Sequence, residues 1–199
     1  MQPQVSAILL AAGMSRRMGC CKQLLPLDGR PAIVRSVESL LAGGVDEVVM
    51  VINPAGEEVA AAISHLPVTV TVNGASDSDM AGSVRVGLAK VATTTSGVLI
   101  ALADTPLVRG ETCRFLQEQH RHHPDAILIP VHRERKGHPT LFPRSILATI
   151  DRHPTLRDVI QSHAERVQLL NVDDPWVVEE MDTPEDYRRL VSLLTPSAS

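Results

Sequence analysis

The sequence predicts an α/β fold of three layers, with a mostly parallel sheet held between two sets of helices. Three observations carry this expectation. The apolar runs are short and continuous, not alternating with polar residues, as strands buried on both faces require. Stretches with helical spacing follow these runs in alternation. The first run also enters a glycine-rich loop, and in such sheets ligands sit beyond the carboxyl ends of the strands.

Residues 5–10 form the first apolar run, ending at Gly13. Residues 31–41 follow as a helix, with apolar positions at Ile33, Val34, Val37, Leu40 and Leu41. Pro31 is placed to start that helix and Gly43–Gly44 to end it. Residues 48–52 read as a second buried strand, 57–65 as a helix and 68–72 as a third strand. A helix over 80–91, a strand over 98–102, a helix over 109–120 and a strand over 126–130 continue the alternation. The loops after Leu10, Val72 and Leu102 should therefore line one crevice. The region 131–174 is less regular, with short helices expected around 145–150 and 156–163. Residues 1–194 are expected to form one domain and 195–199 a disordered tail.

Composition narrows the function. The chain has 199 residues, enough for one domain with a sizeable core. Aromatics make up only 2%, too few for the stacking platforms of single-stranded nucleic-acid binders. A net charge of −4 without a long basic run argues against a nucleic-acid or membrane surface. Three cysteines, Cys20, Cys21 and Cys113, make no disulfide framework and suggest a reducing compartment. No basic segment precedes the first apolar run as in a signal peptide, and no run is long enough for a membrane helix, so a cytoplasmic protein is expected.

The loop from Gly13 to Lys22 carries the strongest chemical signal. Small residues let the backbone approach a ligand closely, and successive N–H groups can form an anion-binding concavity. Ser15 offers a hydroxyl, while Arg17 and Lys22 place positive charge where a triphosphate would lie. The loop is neither a Walker A motif nor Gly-x-Gly-x-x-Gly. Asp104, just beyond a buried strand and before Pro106, is a carboxylate aimed at the crevice, or else a turn or cap residue. Asp182 precedes Thr183-Pro184-Glu185-Asp186, which has the spacing of a helix start. Asp182 itself is left to face the crevice, with Asp173 and Asp174 as nearby competitors. Ala81, Gly82 and Ser83 open a helix whose N–H groups are expected to be free. His138, within Gly137-His138-Pro139, is either a ligand-side residue or a turn histidine. The histidines at 120, 122 and 123 suit a helix C-terminus better than a metal. The Cys20–Cys21 pair is incidental or a reactive thiol site.

The run Leu10-Ala11-Ala12-Gly13-x-Ser15-x-Arg17-Met18-Gly19-x-x-Lys22, followed by Leu24-Leu25-Pro26-Leu27-x-Gly29-x-Pro31, resembles the opening signature of the nucleotidyltransferases akin to the molybdenum-cofactor guanylyl- and cytidylyltransferases. The resemblance reaches almost to the C-terminus. It implies a Rossmann-like, nucleotide-diphospho-sugar-transferase-like sheet and transfer of a nucleotide with release of pyrophosphate. It further implies that Leu10, Ala11, Ala12, Gly13, Ser15, Arg17, Lys22, Gly82 and Ser83 bind the nucleotide. Arg17, Lys22 and Asp104 would be catalytic, and Asp104 with Asp182 would hold Mg²⁺. Gly137 and His138 would lie on the acceptor side. The guanylyl branch typically has Ala-Gly-Gly where this chain has Ala11-Ala12-Gly13, so the second alanine resembles the cytidylyl branch. The implied partners are CTP or else GTP, a molybdopterin-type acceptor, and a molybdoenzyme or its maturation chaperone. Other acceptors, such as a sugar phosphate or methylerythritol phosphate, and a non-catalytic carrier of the cofactor remain the alternatives.

Overall fold

The structure, a computed structural model, describes residues 4–13, 17–75 and 79–194. Ser15 and the segment 195–199, both singled out by the sequence, lie outside them. In chain order the first half contains β1 (Gln4–Leu10), a small hairpin of β2 (Pro26–Leu27) and β3 (Arg30–Pro31), α1 (Ala32–Ala42), β4 (Glu47–Ile52), α2 (Glu57–Ala62) and β5 (Thr69–Val72). The second half contains α3 (Met80–Leu88), β6 (Thr95–Leu102), α4 (Gly110–His122), β7 (Ile127–His132), β8 (Arg135–Lys136) and β9 (Thr140–Pro143). It closes with α5 (Arg144–Leu147), α6 (Leu156–Ser162), β10 (Val167–Asn171) and α7 (Pro184–Leu194).

The expected three layers are present. β1 lies in the middle of the main sheet, parallel to β4 on one side and to β6 on the other. The full order is β10-β7-β9-β6-β1-β4-β5, with β8 paired to β7. Continuous apolar sequence buries both faces. Leu9, Met50 and Leu99 point to a core shared with α1 and α4, through Val37, Leu40 and Leu116. Ile8, Val49, Val51, Val98 and Ile100 point the other way, toward Val84 of α3 and Ile146 of α5. A third cluster joins the β2–β3 hairpin to α7 through Leu27, Met181 and Leu190. Among the described residues no helix is long and apolar enough to cross a membrane.

Several expectations need correction. α1 begins just after Pro31 and Gly44, at φ 82°, turns the chain away from it, as expected. The helix expected over 57–65, by contrast, stops at Ala62. The third strand is an edge strand that leaves Val70 and Val72 exposed. The region 131–174 is more regular than its sequence suggests, because it holds β8, β9 and β10. β9 runs antiparallel between β6 and β7, with Gly97 opposite Pro143 and Ile100 opposite Thr140. Proline usually marks an edge strand. Here Pro143 is the last residue of the strand, so it leaves the ladder intact.

Candidate nucleotide and metal site

The carboxyl ends of β1 and β6 open into a crevice of about 200 Å³, lined by Leu10, Ala12, Gly13, Lys22, Gln23, Asp79, Met80, Ser83, Leu102, Ala103 and Asp104. The loops after β1, β5 and β6 thus meet in one place, as the topology requires. Asn73, at the end of β5, is buried and donates to Ser83 Oγ at 3.1 Å, fixing that hydroxyl.

Lys22 is the centre of charge. It is buried to 7% exposure, starts a turn of 3-10 helix, and its Nζ lies 3.1 Å from Asp104 Oδ2 and 2.7 Å from Asp182 Oδ1. Arg17 donates to the other oxygen of Asp182 at 2.6 Å. Two carboxylates 78 positions apart in the numbering are therefore held on one ammonium group. Partial burial opposes the charge of Asp182, but Lys22 and then Arg17 overcome it and hold its carboxyl below the ordinary carboxylate range. Asp182 is positioned by the start of α7. Asp186 accepts from the Asp182 and Thr183 amides and from the Thr183 hydroxyl, and its own amide donates back to Thr183 Oγ1. The capping box read from the sequence is thus formed.

The remaining expectations divide. Ala11 is buried behind the crevice wall and donates its N–H to Val51 O at 2.8 Å. Gly82 is not among the lining residues. Two of the N–H groups at the start of α3 are taken: Asp79 accepts from the Gly82 amide through its side chain and from the Ser83 amide through its carbonyl. Asp174, the competitor of Asp182, is buried and accepts from the Arg109 amide and the Thr112 hydroxyl at the start of α4. Its job is capping. Gly137 is buried, and a Cβ there would stand 2.2 Å from Val177 O, so only glycine fits against that backbone. His138 donates its amide to Val177 O, and its Nδ1 is buried with no hydrogen-bond partner among the described residues. Burial lowers its pKa, with the Ile100 backbone and the Asp104 charge opposing. Gly137 and His138 line neither the crevice nor the cavity beyond Asp182. That second cavity, of about 390 Å³, is lined by Arg17, Arg135, Val178, Glu179, Glu180, Asp182, Thr183, Asp186 and Arg189.

A divalent cation fits the donor set. Asp104 Oδ1 is buried and unpartnered among the described residues, and Asp104 Oδ2 and Asp182 Oδ1 meet on the Lys22 ammonium group. Two carboxylates plus phosphate oxygens are the usual protein share of a magnesium site. Sequence reasoning missed Gln23, Asn53 and Glu180. Burial, then the charges of Asp104 and Asp182, raise the Glu180 pKa.

Residues 7–181 match the family described as the MobA-like NTP transferase domain. Over 201 aligned residues the chain is 30% identical to nicotine blue oxidoreductase of Paenarthrobacter nicotinovorans, covering 95% of this chain and 97% of that protein. It is 35% identical over 111 residues to 2-C-methyl-D-erythritol 4-phosphate cytidylyltransferase of Corynebacterium diphtheriae, covering 50% of this chain and 44% of that enzyme. The crystal structure of Rv0371c from Mycobacterium tuberculosis H37Rv superposes with a TM-score of 0.86 at 28% identity, covering 96% of this chain and 99% of the other. A structure of Rv0371c in complex with manganese superposes with a TM-score of 0.80 at 27% identity, covering 96% of this chain and 100% of the other.

Proposed function

This chain belongs to the MobA-like NTP transferase domain family, and from that premise we propose that it transfers CMP from CTP to the phosphate of molybdopterin, releasing pyrophosphate. The observation that carries the reading is the joining of Asp104 and Asp182 by Lys22 at the mouth of a glycine-loop crevice. A protein that merely carried a cofactor would have no use for that set.

Such transfers need little covalent chemistry from the protein; positioning and charge neutralisation do the work. Ala12 and Gly13 line the crevice with backbone, where the triphosphate would lie. Lys22 and Arg17 stabilise the charge that grows on the departing pyrophosphate. Mg²⁺, held by Asp104 and Asp182, would supply Lewis-acid neutralisation at the α-phosphate. Asp182 and Arg17 line the second cavity together with Arg135 and Arg189, whose positive charge suits an acceptor phosphate. Gly137 and His138 follow directly on β8, which carries Arg135 of that cavity, and their amides donate to Pro130 O and Val177 O. The second alanine at Ala12 favours CTP over GTP.

Pyrophosphate release from purified protein, Mg²⁺, molybdopterin and either CTP or GTP tests the reading. Release with CTP alone supports it in full. Release with GTP alone corrects the base. Release only with sugar phosphates or methylerythritol phosphate moves the acceptor, and no release with any pair ends the transferase reading. A second reading is favoured by the nearly full-length relative named as an oxidoreductase. In it the crevice holds a redox-active nucleotide instead of a reacting one. Oxidation of a reduced nicotinamide dinucleotide by added dye, without pyrophosphate release, would select it.

A further inference from the structure

The loop between β1 and Lys22 is held by side chains that no family signature quoted above includes. Gln23 is buried to 3% exposure, and its Nε2 donates to Ala11 O at 3.3 Å and Gly13 O at 3.4 Å. Its Oε1 accepts from Cys21 Sγ at 3.3 Å, which sets which end of the amide faces the loop. Asn53, just past the end of β4, donates from Nδ2 to Ala12 O at 3.1 Å. Its own Oδ1 accepts from the Ala55 amide at 2.9 Å. Three successive carbonyls are thus bonded by two side-chain amides.

Peptide planarity gives this arrangement a consequence. In a trans peptide the C=O of one residue and the N–H of the next point in opposite directions. Holding Ala11 O therefore aims the Ala12 N–H, and holding Ala12 O aims the Gly13 N–H. Neither of those N–H groups donates to any described residue, and both residues line the crevice. Ala12 is half-buried and Gly13 exposed at the crevice, and adjacent N–H groups held in fixed directions there form a concavity suited to a ligand with acceptor oxygens.

We propose that Gln23 and Asn53 are positioning residues that clamp the carbonyl side of the loop, so that the Ala12 and Gly13 amides are preset toward the phosphates of the nucleotide. The proposal rests on the nucleotide reading of the crevice. It makes the clamp matter in proportion to phosphate contact. The neutral, near-isosteric variants Gln23→Met and Asn53→Leu remove the donors without adding charge.

Calorimetry with MgCTP, MgGTP and CMP, on the wild type and both variants, tests it. Each variant should weaken the triphosphate that the wild type binds by roughly tenfold or more, the scale of a lost hydrogen bond to a charged group. CMP should weaken by a clearly smaller factor, so the ratio of the two dissociation constants shifts. Equal weakening of both, or none in either variant, overturns the clamp. Failure of the wild type to bind either triphosphate overturns the nucleotide reading instead. If Gln23→Met does not fold, Asn53→Leu, at a half-buried position, decides the matter alone.

Discussion

Lys22 neutralises two carboxylates that would otherwise repel each other and the nearby Glu180. Removing it should therefore act twice. Lys22→Ala and Asp104→Ala are each expected to lower kcat/KM by about 10²-fold or more, the cost of losing preorganised charge at a reacting phosphate. Steady-state pyrophosphate release reads this. Lys22→Ala should also lower the Tm, and added Mg²⁺ should recover more of that loss than it adds to the wild type, because the cation replaces the missing charge. Equal Mg²⁺ responses would detach the metal from this pair of carboxylates. Lys22, Asp104 and Asp182 are legible in sequence because their residue types match a motif. Gln23 and Asn53 are not, since their role depends on which carbonyls come within reach after folding.

Buried histidines give the residue scale a pH dependence. The His120 ring covers Gly97, with only 2.7 Å between its Nε2 and the place a Cβ would occupy, and accepts or donates to Ser96 Oγ at 3.2 Å. Burial lowers its pKa below the ordinary 6.5, with Asp125 opposing. His138 is lowered by burial as well. The unfolded chain then binds more protons than the native one below that value, so stability rises with pH there. It should be complete above pH 6.5 and decline as pH falls through 6.5 toward the lowered values. Urea midpoints across this range should show the decline, and His120→Gln should flatten it.

Among the elements, the β7–β8 hairpin bears visible strain. Arg133 and Glu134 occupy its turn at φ 47° and 66°, a region costly for residues with a Cβ. Replacing the pair by Asn-Gly should raise stability by about 1 kcal/mol, measured as a shift in urea midpoint at constant m. A few residues on, Gly137→Ala should cost about 3 kcal/mol or prevent folding, because the Val177 backbone leaves no room. Purified variants compared by thermal melt would show it. The inner strands β1, β4, β6 and β7 are legible as apolar runs because both of their faces are covered. β9 is not, because Thr140, the preceding Pro139 and the terminal Pro143 break the apolar pattern. β10 is not, because its edge position leaves Leu169 exposed and lets Gln168 and Asn171 interrupt the apolar run.

For the whole molecule, both cores rest on the same sheet, and the β2–β3 hairpin ties α7 to the crevice through Leu27, Leu107 and Met181. The chain should unfold as one unit. Trp176, the single tryptophan, packs against the α7 cluster at the far end of the chain. Its fluorescence and the far-ultraviolet circular dichroism should therefore follow one urea transition. Separate midpoints would mean that the C-terminal segment carrying Asp182 loosens independently, taking the site with it.

The β6–β9 ladder has a bearing on how such a chain can change over generations. It is a seam of four facing residue pairs, from Gly97–Pro143 to Ile100–Thr140. The loop after β1 lies on one side of it, and β7 and β8, with Arg135, lie on the other. Substitutions well separated across a rigid seam tend to add without coupling. A lineage could thus exchange what it modifies while keeping what it spends, altering the far bank without retuning the glycine loop.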